Sequence, residues 1–209
     1  MPVLAILGAS GHGKVVAEAA FLSKKWTDIV FFDDAHPSMT VLESWLVVGN
    51  TQDLLDQSNS FDGVMVAIGN NAIRLLKQSE LQEYGCNIVS IIHPLAIISP
   101  SAKISCGSVV MAGAIINPFC HIGGSCIINT GATVDHDCQL GEGVHISPGV
   151  NLAGEVKVGA LSWLGIGSCV KQQVQIGKRV VVGVGSAVVS NIMDDLTVVG
   201  VPAKPLISK

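Results

Sequence analysis

Charge and aromatic rings are both scarce in this 209-residue sequence: Asp, Glu, Lys and Arg make up 13% of it, and Phe, Trp and Tyr 4%. An ordinary globular domain carries about twice that charge, so the composition points away from a conventional mixed core. The net charge is −4 and no basic stripe accompanies it, which argues against nucleic acid as a main partner. Long apolar runs are missing too. Mean hydropathy is +0.54, yet no run approaches the roughly 18 apolar residues of a spanning helix. Val3–Leu7 is too short for a signal peptide and lacks its flanks. A soluble, cytoplasmic protein without membrane insertion is expected. The six cysteines form no CxxC spacing, so they are read as small apolar residues rather than as metal ligands or disulfides.

Two things are plentiful: glycine, with 23 residues, and aliphatic side chains at a fixed beat. From Ile92 to Val188 every sixth residue is Ile, Leu or Val, seventeen in succession. The residue two places earlier, from Ser90 to Ser186, is always Ala, Ser, Cys or Val; Cys120, Cys126 and Cys138 fall on this beat. A strand repeats every two residues and a helix every 3.6, so six fits neither as one long element. It fits a parallel β-helix with three flat sides, one hexad per side and about 18 residues per coil. The aliphatic residue fills the interior and the small one permits the corner. Residues 18 apart then stack at the inter-strand spacing of about 4.8 Å. Periodicity leaves the hand open; the pattern resembles the hexapeptide-repeat acyltransferases, which implies a left-handed coil and a homotrimer.

The first ninety residues read differently. Val3–Leu7 is an apolar strand, followed by Gly8-Ala-Ser-Gly11-His12-Gly13 and a helix from Lys14 to about Leu22. Asp28–Phe32 is a second strand ending in Asp33-Asp34. Such a β–Gly-rich turn–α–β unit offers free N–H groups to an anion. Its GxxGxG order differs from the GxGxxG dinucleotide fingerprint, so NAD binding is not supported. Val47–Val48 is a further strand, and Thr51 is expected to cap a helix to about Gln57. Gly63–Ile68 is a strand with Gly69 at its carboxyl end, where doubly wound sheets bind ligands. Ala72–Tyr84 is read as helix and Asn87–Ile92 as the last strand. The expected organisation is therefore an α/β Rossmann-like domain, residues 1–92, followed by an all-β left-handed parallel β-helix with a C-terminal tail, residues 93–209.

In the coil, His136 lies two residues after the inward Val134, flanked by Asp135 and Asp137. A carboxylate beside an imidazole raises its pKa and makes it a stronger base. Eighteen residues on is Gly154, whose missing side chain is read as leaving room for a ligand. His145 is half a coil away, too far from His136 within one subunit but within reach across a subunit interface. His121 is read as a surface residue, and His36 and His93 as surface or linker residues. The separations among His121, His136 and His145 do not match the histidine set of hexapeptide-repeat carbonic anhydrases, so no metal is expected.

Gly8-Ala-Ser-Gly-His-Gly, Phe32-Asp-Asp, Ala67-Ile-Gly-Asn-Asn, Asn129-Thr…His136 and Gly200-Val-Pro-Ala-Lys occur in this order along the whole chain. The set resembles the bacterial nucleotide-sugar N-acetyltransferases that act on UDP-4-amino sugars of the bacillosamine pathway, related to the sialic acid O-acetyltransferases. The resemblance implies acetyl-CoA as donor and a nucleotide-linked amino sugar as acceptor. It also implies His136 as general base, and Asp137 as the residue raising its basicity. His145, Ile166 and Val184 would lie along acetyl-CoA, although Val184 stands where the family has Gly. Ser10, Gly11, His12, Asp33, Asp34 and Gly69 would form the nucleotide-sugar pocket. Sialic acid O-acetylation and non-catalytic nucleotide-sugar binding remain the alternatives. The residues do not fix the nucleotide base, the stereochemistry of the sugar or the pathway.

Overall fold

The computed structural model describes residues 2–206. By internal contacts it divides into two compact units at Pro94–Leu95.

The N-terminal unit contains β1 (Val3–Leu7), α1 (Gly11–Leu22), β2 (Asp28–Phe32), β3 (Val41–Leu42), β4 (Trp45–Gly49), α2 (Thr51–Asp56), β5 (Gly63–Val66) and α3 (Asn71–Glu83). The sheet order is β3-β4-β2-β1-β5. All pairs are parallel except β3 against β4. Leu4 to Leu7 of β1 and Val64 to Val66 of β5 are almost fully buried, as a parallel sheet covered on both faces requires. Helix α1 begins three residues before the expected start, at Gly11, because Ser10 is already extended. Asn50 rather than Thr51 caps α2: its side chain accepts from the Asp53 N–H while the Asp53 carboxylate accepts from the Asn50 N–H. This capping box satisfies two helix-end donors at once. The expected strand Asn87–Ile92 is reduced to Ile91–Ile92, with one isolated bridge from Ile88 to Val64.

The C-terminal unit is the left-handed parallel β-helix. Two-residue strands recur every six residues from Ile97–Ile98 to Ala187–Val188, and each pairs with the strand 18 residues away, as in Ile115↔Thr133 and Thr133↔Asn151. Three flat faces result. One carries Ile115, Thr133, Asn151 and Cys169; the next carries His121, Gln139, Lys157 and Gln175; the third carries Ile127, His145, Trp163 and Val181. The aliphatic ladder from Val110 to Val188 is buried throughout.

The corner residues do more than save space. Ser108, Cys120, Cys126, Cys138 and Ser162 each donate a hydroxyl or thiol hydrogen to the carbonyl fifteen residues ahead, on Gly123, Asp135, Gly141, Ala153 and Gly177. A buried polar group of this kind costs little once it is paired. A second beat accompanies the ladder. From residue 107 to 185, every sixth residue has a left-handed backbone, φ +53° to +71°. The last coil is shortened, pairing Thr197 with Val181, and the hairpin of Val198–Val199 with Lys204–Pro205 closes the end.

Candidate active site

The N-terminal unit holds a pocket at the carboxyl ends of its parallel strands. Leu7, Gly8, Ser10, Asp33, Asp34, Thr51, Ile68, Gly69, Ile73 and Lys77 line its roughly 290 Å³. Ser10, Asp33, Asp34 and Gly69 are thus together as expected, while Gly11 and His12 are outside the lining. The three glycines of the turn divide by cause. At Gly8 φ is +112° and an added Cβ would lie 2.9 Å from the Ala67 carbonyl; at Gly13 it would lie 2.3 Å from the Gly8 carbonyl. Internal packing explains both. At Gly11 an added Cβ would meet nothing within 4 Å.

The two carboxylates of this pocket also bind the protein's own backbone. Asp33 accepts from the N–H groups of Ala9 and Ala35 at 2.7 and 2.9 Å, tying the turn after β1 to the end of β2. Asp34 accepts from the Thr51 N–H at 2.9 Å, and Thr51, through its hydroxyl first and its N–H second, holds the Asp34 carboxyl below the usual range. Each keeps spare acceptor capacity toward the pocket. His12 is pressed to a pKa of about 4, first by burial and then by the charge of Arg74. It is therefore a neutral imidazole, and its Nε2 is buried without a hydrogen-bond partner. Sequence reading missed Arg74. Fully buried, it donates to the carbonyls of Ile68 and Gly69 and to Asn71 Oδ1, fixing the turn that presents Gly69. At its place in α3 it reads as one more solvated helix charge.

In the β-helix, the corner joining the Thr133 face to the Gln139 face stacks Pro118-Phe119, His136-Asp137, Gly154-Glu155 and Gln172-Gln173. Bonds from Asp137 N to Pro118 O, Glu155 N to His136 O and Gln173 N to Gly154 O lock this register. His136 Nδ1 lies 2.8 Å from Asp137 Oδ2, which makes Nδ1 the donor and leaves Nε2 its lone pair. The hydrogen bond to Asp137 is the main cause raising the His136 pKa, with the charges of Asp135, Asp137 and Glu155 adding to it. Asp135 accepts from the His136 N–H and from Asn117 Nδ2, so it anchors the backbone of the pair. Gly154 corrects the sequence reading. A Cβ there would fall 2.5 Å from His136 Nε2, so the space is taken by the imidazole itself rather than kept for a ligand.

His145 is on a different face, beside Trp163 at 6.4 Å between rings and with Asn129 Nδ2 3.3 Å from its Nε2. The next corner along from that face is unusual. Its left-handed residues are Gly113, Gly131, Gly149, Gly167 and Gly185, glycine in every coil, while the His136 corner has Phe119, Asp137, Glu155 and Gln173 at the same backbone angle. Backbone shape therefore does not demand glycine here. Neither does internal packing, since a Cβ would meet nothing within 4 Å at the last four and only a 3.9 Å contact at Gly113. The result is a bare edge about 19 Å long, bordered by the exposed side chains of Ile166 and Val184. Among the described residues, no group of three or more His, Cys, Asp or Glu is placed to hold a metal ion, and no helix is long and apolar enough to cross a membrane.

Known proteins share this fold. Residues 3–81 match the PglD N-terminal domain. The acetyltransferase domain of PglB from Neisseria gonorrhoeae FA1090, solved with acetyl coenzyme A, is 43% identical with a TM-score of 0.94, over 98% of both chains. The chain belongs to the family of sugar N-acetyltransferases. Within this family, a mutant perosamine N-acetyltransferase from Caulobacter crescentus, solved with CoA and GDP-perosamine, is 38% identical with a TM-score of 0.95. That match covers 100% of this chain and 98% of the other. UDP-N-acetylbacillosamine N-acetyltransferase from Bacillus subtilis (strain 168) is 37% identical over 114 residues, 54% of this chain and 52% of that relative. The matched stretch thus spans about half the length of this curated relative.

Proposed function

We propose that this chain is an acetyl-CoA-dependent N-acetyltransferase acting on the amine of a nucleotide-linked 4-amino sugar. The observation that carries the reading is the His136–Asp137 pair on a corner of the β-helix, with Nδ1 engaged and Nε2 free to take a proton. A sugar amine at neutral pH is mostly ammonium and attacks a thioester only after losing a proton. That first proton is lost to solvent. The neutral amine then attacks the thioester carbon and His136 would accept the second proton, shed from nitrogen as the C–N bond forms, with Asp137 stabilising the imidazolium. General-base help of this sort contributes about 10²–10⁴-fold. A backbone N–H would steady the developing oxyanion, and the CoA thiolate departs with no acylated side chain.

Support for the donor site comes from the glycine edge. Glycine at the left-handed position of every coil of one corner lets a narrow ligand approach the backbone there, and a pantetheine arm has that shape. His145, Trp163, Ile166 and Val184 flank the edge. In one chain the His136 corner and the glycine edge stand at opposite ends of the Thr133 face. A base on one corner and a donor track on the other meet when two copies pack side by side, and a closed ring of three gives every copy both neighbours. We therefore read the protein as a homotrimer. The pocket beside Gly69, with the α1 N-terminus and Lys77, suits the nucleotide diphosphate.

The test is CoA release against a panel of UDP-, dTDP- and GDP-linked 4-amino sugars and free sialic acid, for the native protein and His136→Ala. Acetylation of an amino sugar, lowered at least about 10²-fold in a His136→Ala protein that stays assembled, is expected. Undiminished acetylation by that variant refutes the role of His136, and turnover of sialic acid alone would move the reading to O-acetylation.

A further inference from the structure

One side chain on the His136 corner has no explanation within the fold. Phe119 takes the left-handed position one coil below Asp137, with φ +62°. Its neighbours in that column are Asp137, Glu155 and Gln173, polar residues suited to an exposed turn. Asp is among the few residues that adopt this conformation at low cost, whereas a bulky aromatic there is an outlier. Phe119 is also 62% exposed, so its ring adds little to the aliphatic core. Strain and exposed apolar area thus coincide at one residue, next to the pair that carries the chemistry. Strain that the fold itself does not use is found where a ligand uses it.

Resting on the reading of the site just given, we propose that Phe119 is a specificity-determining platform for the acceptor, stacking on the apolar face of the amino-sugar ring. The position selects the occupant. The Asp137 N–H bonds the Pro118 carbonyl at 3.0 Å, which places Phe119 one strand spacing, about 4.8 Å, below Asp137. A pyranose is about that wide, so an amine held at His136 puts its own ring carbons, and not the distant nucleotide, over this coil. The C–H-rich face of a pyranose, more so when a hydroxymethyl is reduced to methyl, stacks on an aromatic ring. Small hydrophilic residues elsewhere on the corner could offer hydrogen bonds but no such surface.

The two penalties make the proposal separable from a structural role. Phe119→Asn places a residue tolerant of the left-handed conformation in an exposed turn, so its thermal midpoint should rise by a few degrees. The KM for the amino-sugar nucleotide should rise about five- to tenfold, in the upper part of the range of an aromatic contact. The KM for acetyl-CoA should stay within about twofold of the native value, since the glycine edge is on another corner. Phe119→Tyr, which keeps the ring face, should retain the native acceptor KM. An unchanged acceptor KM in Phe119→Asn overturns the proposal. So does a variant that falls apart into single chains where the native protein stays assembled, because the ring would then serve a neighbouring copy. Failure of the native protein to acetylate any amino sugar would instead sink the reading of the site, and the two failures are told apart by the native control.

Discussion

His136 shows how much one contact decides at the scale of a residue. Its bond to Asp137 raises the imidazole pKa, and only the neutral ring can act as a base. The rate should therefore fall as pH drops through the raised value. In Asp137→Asn the main cause of the shift is gone, so the acidic limb of the kcat profile should move to lower pH while the plateau drops about tenfold or more. An acidic limb that stays in place would show that Asp137 does not set the titration. Gly154 offers a steric counterpart. In Gly154→Ala the new methyl occupies the place of Nε2, and the exposed imidazole can swing aside. Activity should fall about 10²-fold, the cost of a misplacement near 1 Å, with an unchanged melting temperature. Both residues could be picked out from the sequence, but only one role was legible. That Asp137 follows His136 is a statement about neighbours in the chain. What fills the gap over His136 depends on a ring's rotation, which no spacing encodes. For the same reason Asp33 and Asp34 read only as residues of the nucleotide-sugar pocket until the structure shows the backbone N–H groups they hold.

At the scale of the element, the β-helix was legible because its interior admits one kind of side chain at one interval. Each aliphatic residue from Val110 to Val188 meets the residue 18 away, so any slip would bury a polar group. The left-handed beat was harder to see, since the position carries Phe, Ser, Asp, Glu, Leu, Gln or Arg as often as glycine. The corner hydrogen bonds were hidden altogether, because Ser and Cys pass simply as small residues. They have a measurable consequence. Ser162 donates to the Gly177 carbonyl at 2.8 Å and accepts from the Val180 N–H at 3.0 Å. Ser162→Ala should cost about 1–3 kcal/mol in denaturant unfolding, the penalty for stranding buried partners. Ser162→Cys should cost distinctly less, because thiols already fill this role at three other corners. Equal losses in the two variants would mean that the hydrogen bond does not matter.

At the scale of the whole molecule, the proposed division of labour between corners makes activity a shared property of copies. A His136→Ala chain keeps an intact glycine edge, and a Gly167→Trp chain, with its donor track blocked, keeps an intact His136. Each alone should be inactive. Co-expressed in equal amounts and mixed at random, about one interface in four would unite an unaltered base with an unaltered edge. The co-expressed population as a whole should therefore recover about a quarter of native activity per site. Recovery near zero, with mixed assembly shown by differential tagging, would place base and donor within one chain. The sequence could suggest this architecture only through resemblance, because the aliphatic beat describes the inside of the prism and says nothing of what meets its outside.

The glycine-lined corner from Gly113 to Gly185 carries one further implication. Five successive rungs share one backbone shape and a glycine at its left-handed position, and such a rail gives a sliding molecule little reason to halt at one rung rather than the next. Something off the rail must supply the stop. His145 and Trp163, their rings tilted against each other at 6.4 Å, are fixed landmarks of that kind, and on the proposed reading altering them should loosen where along the rail the donor comes to rest more than how firmly it is held.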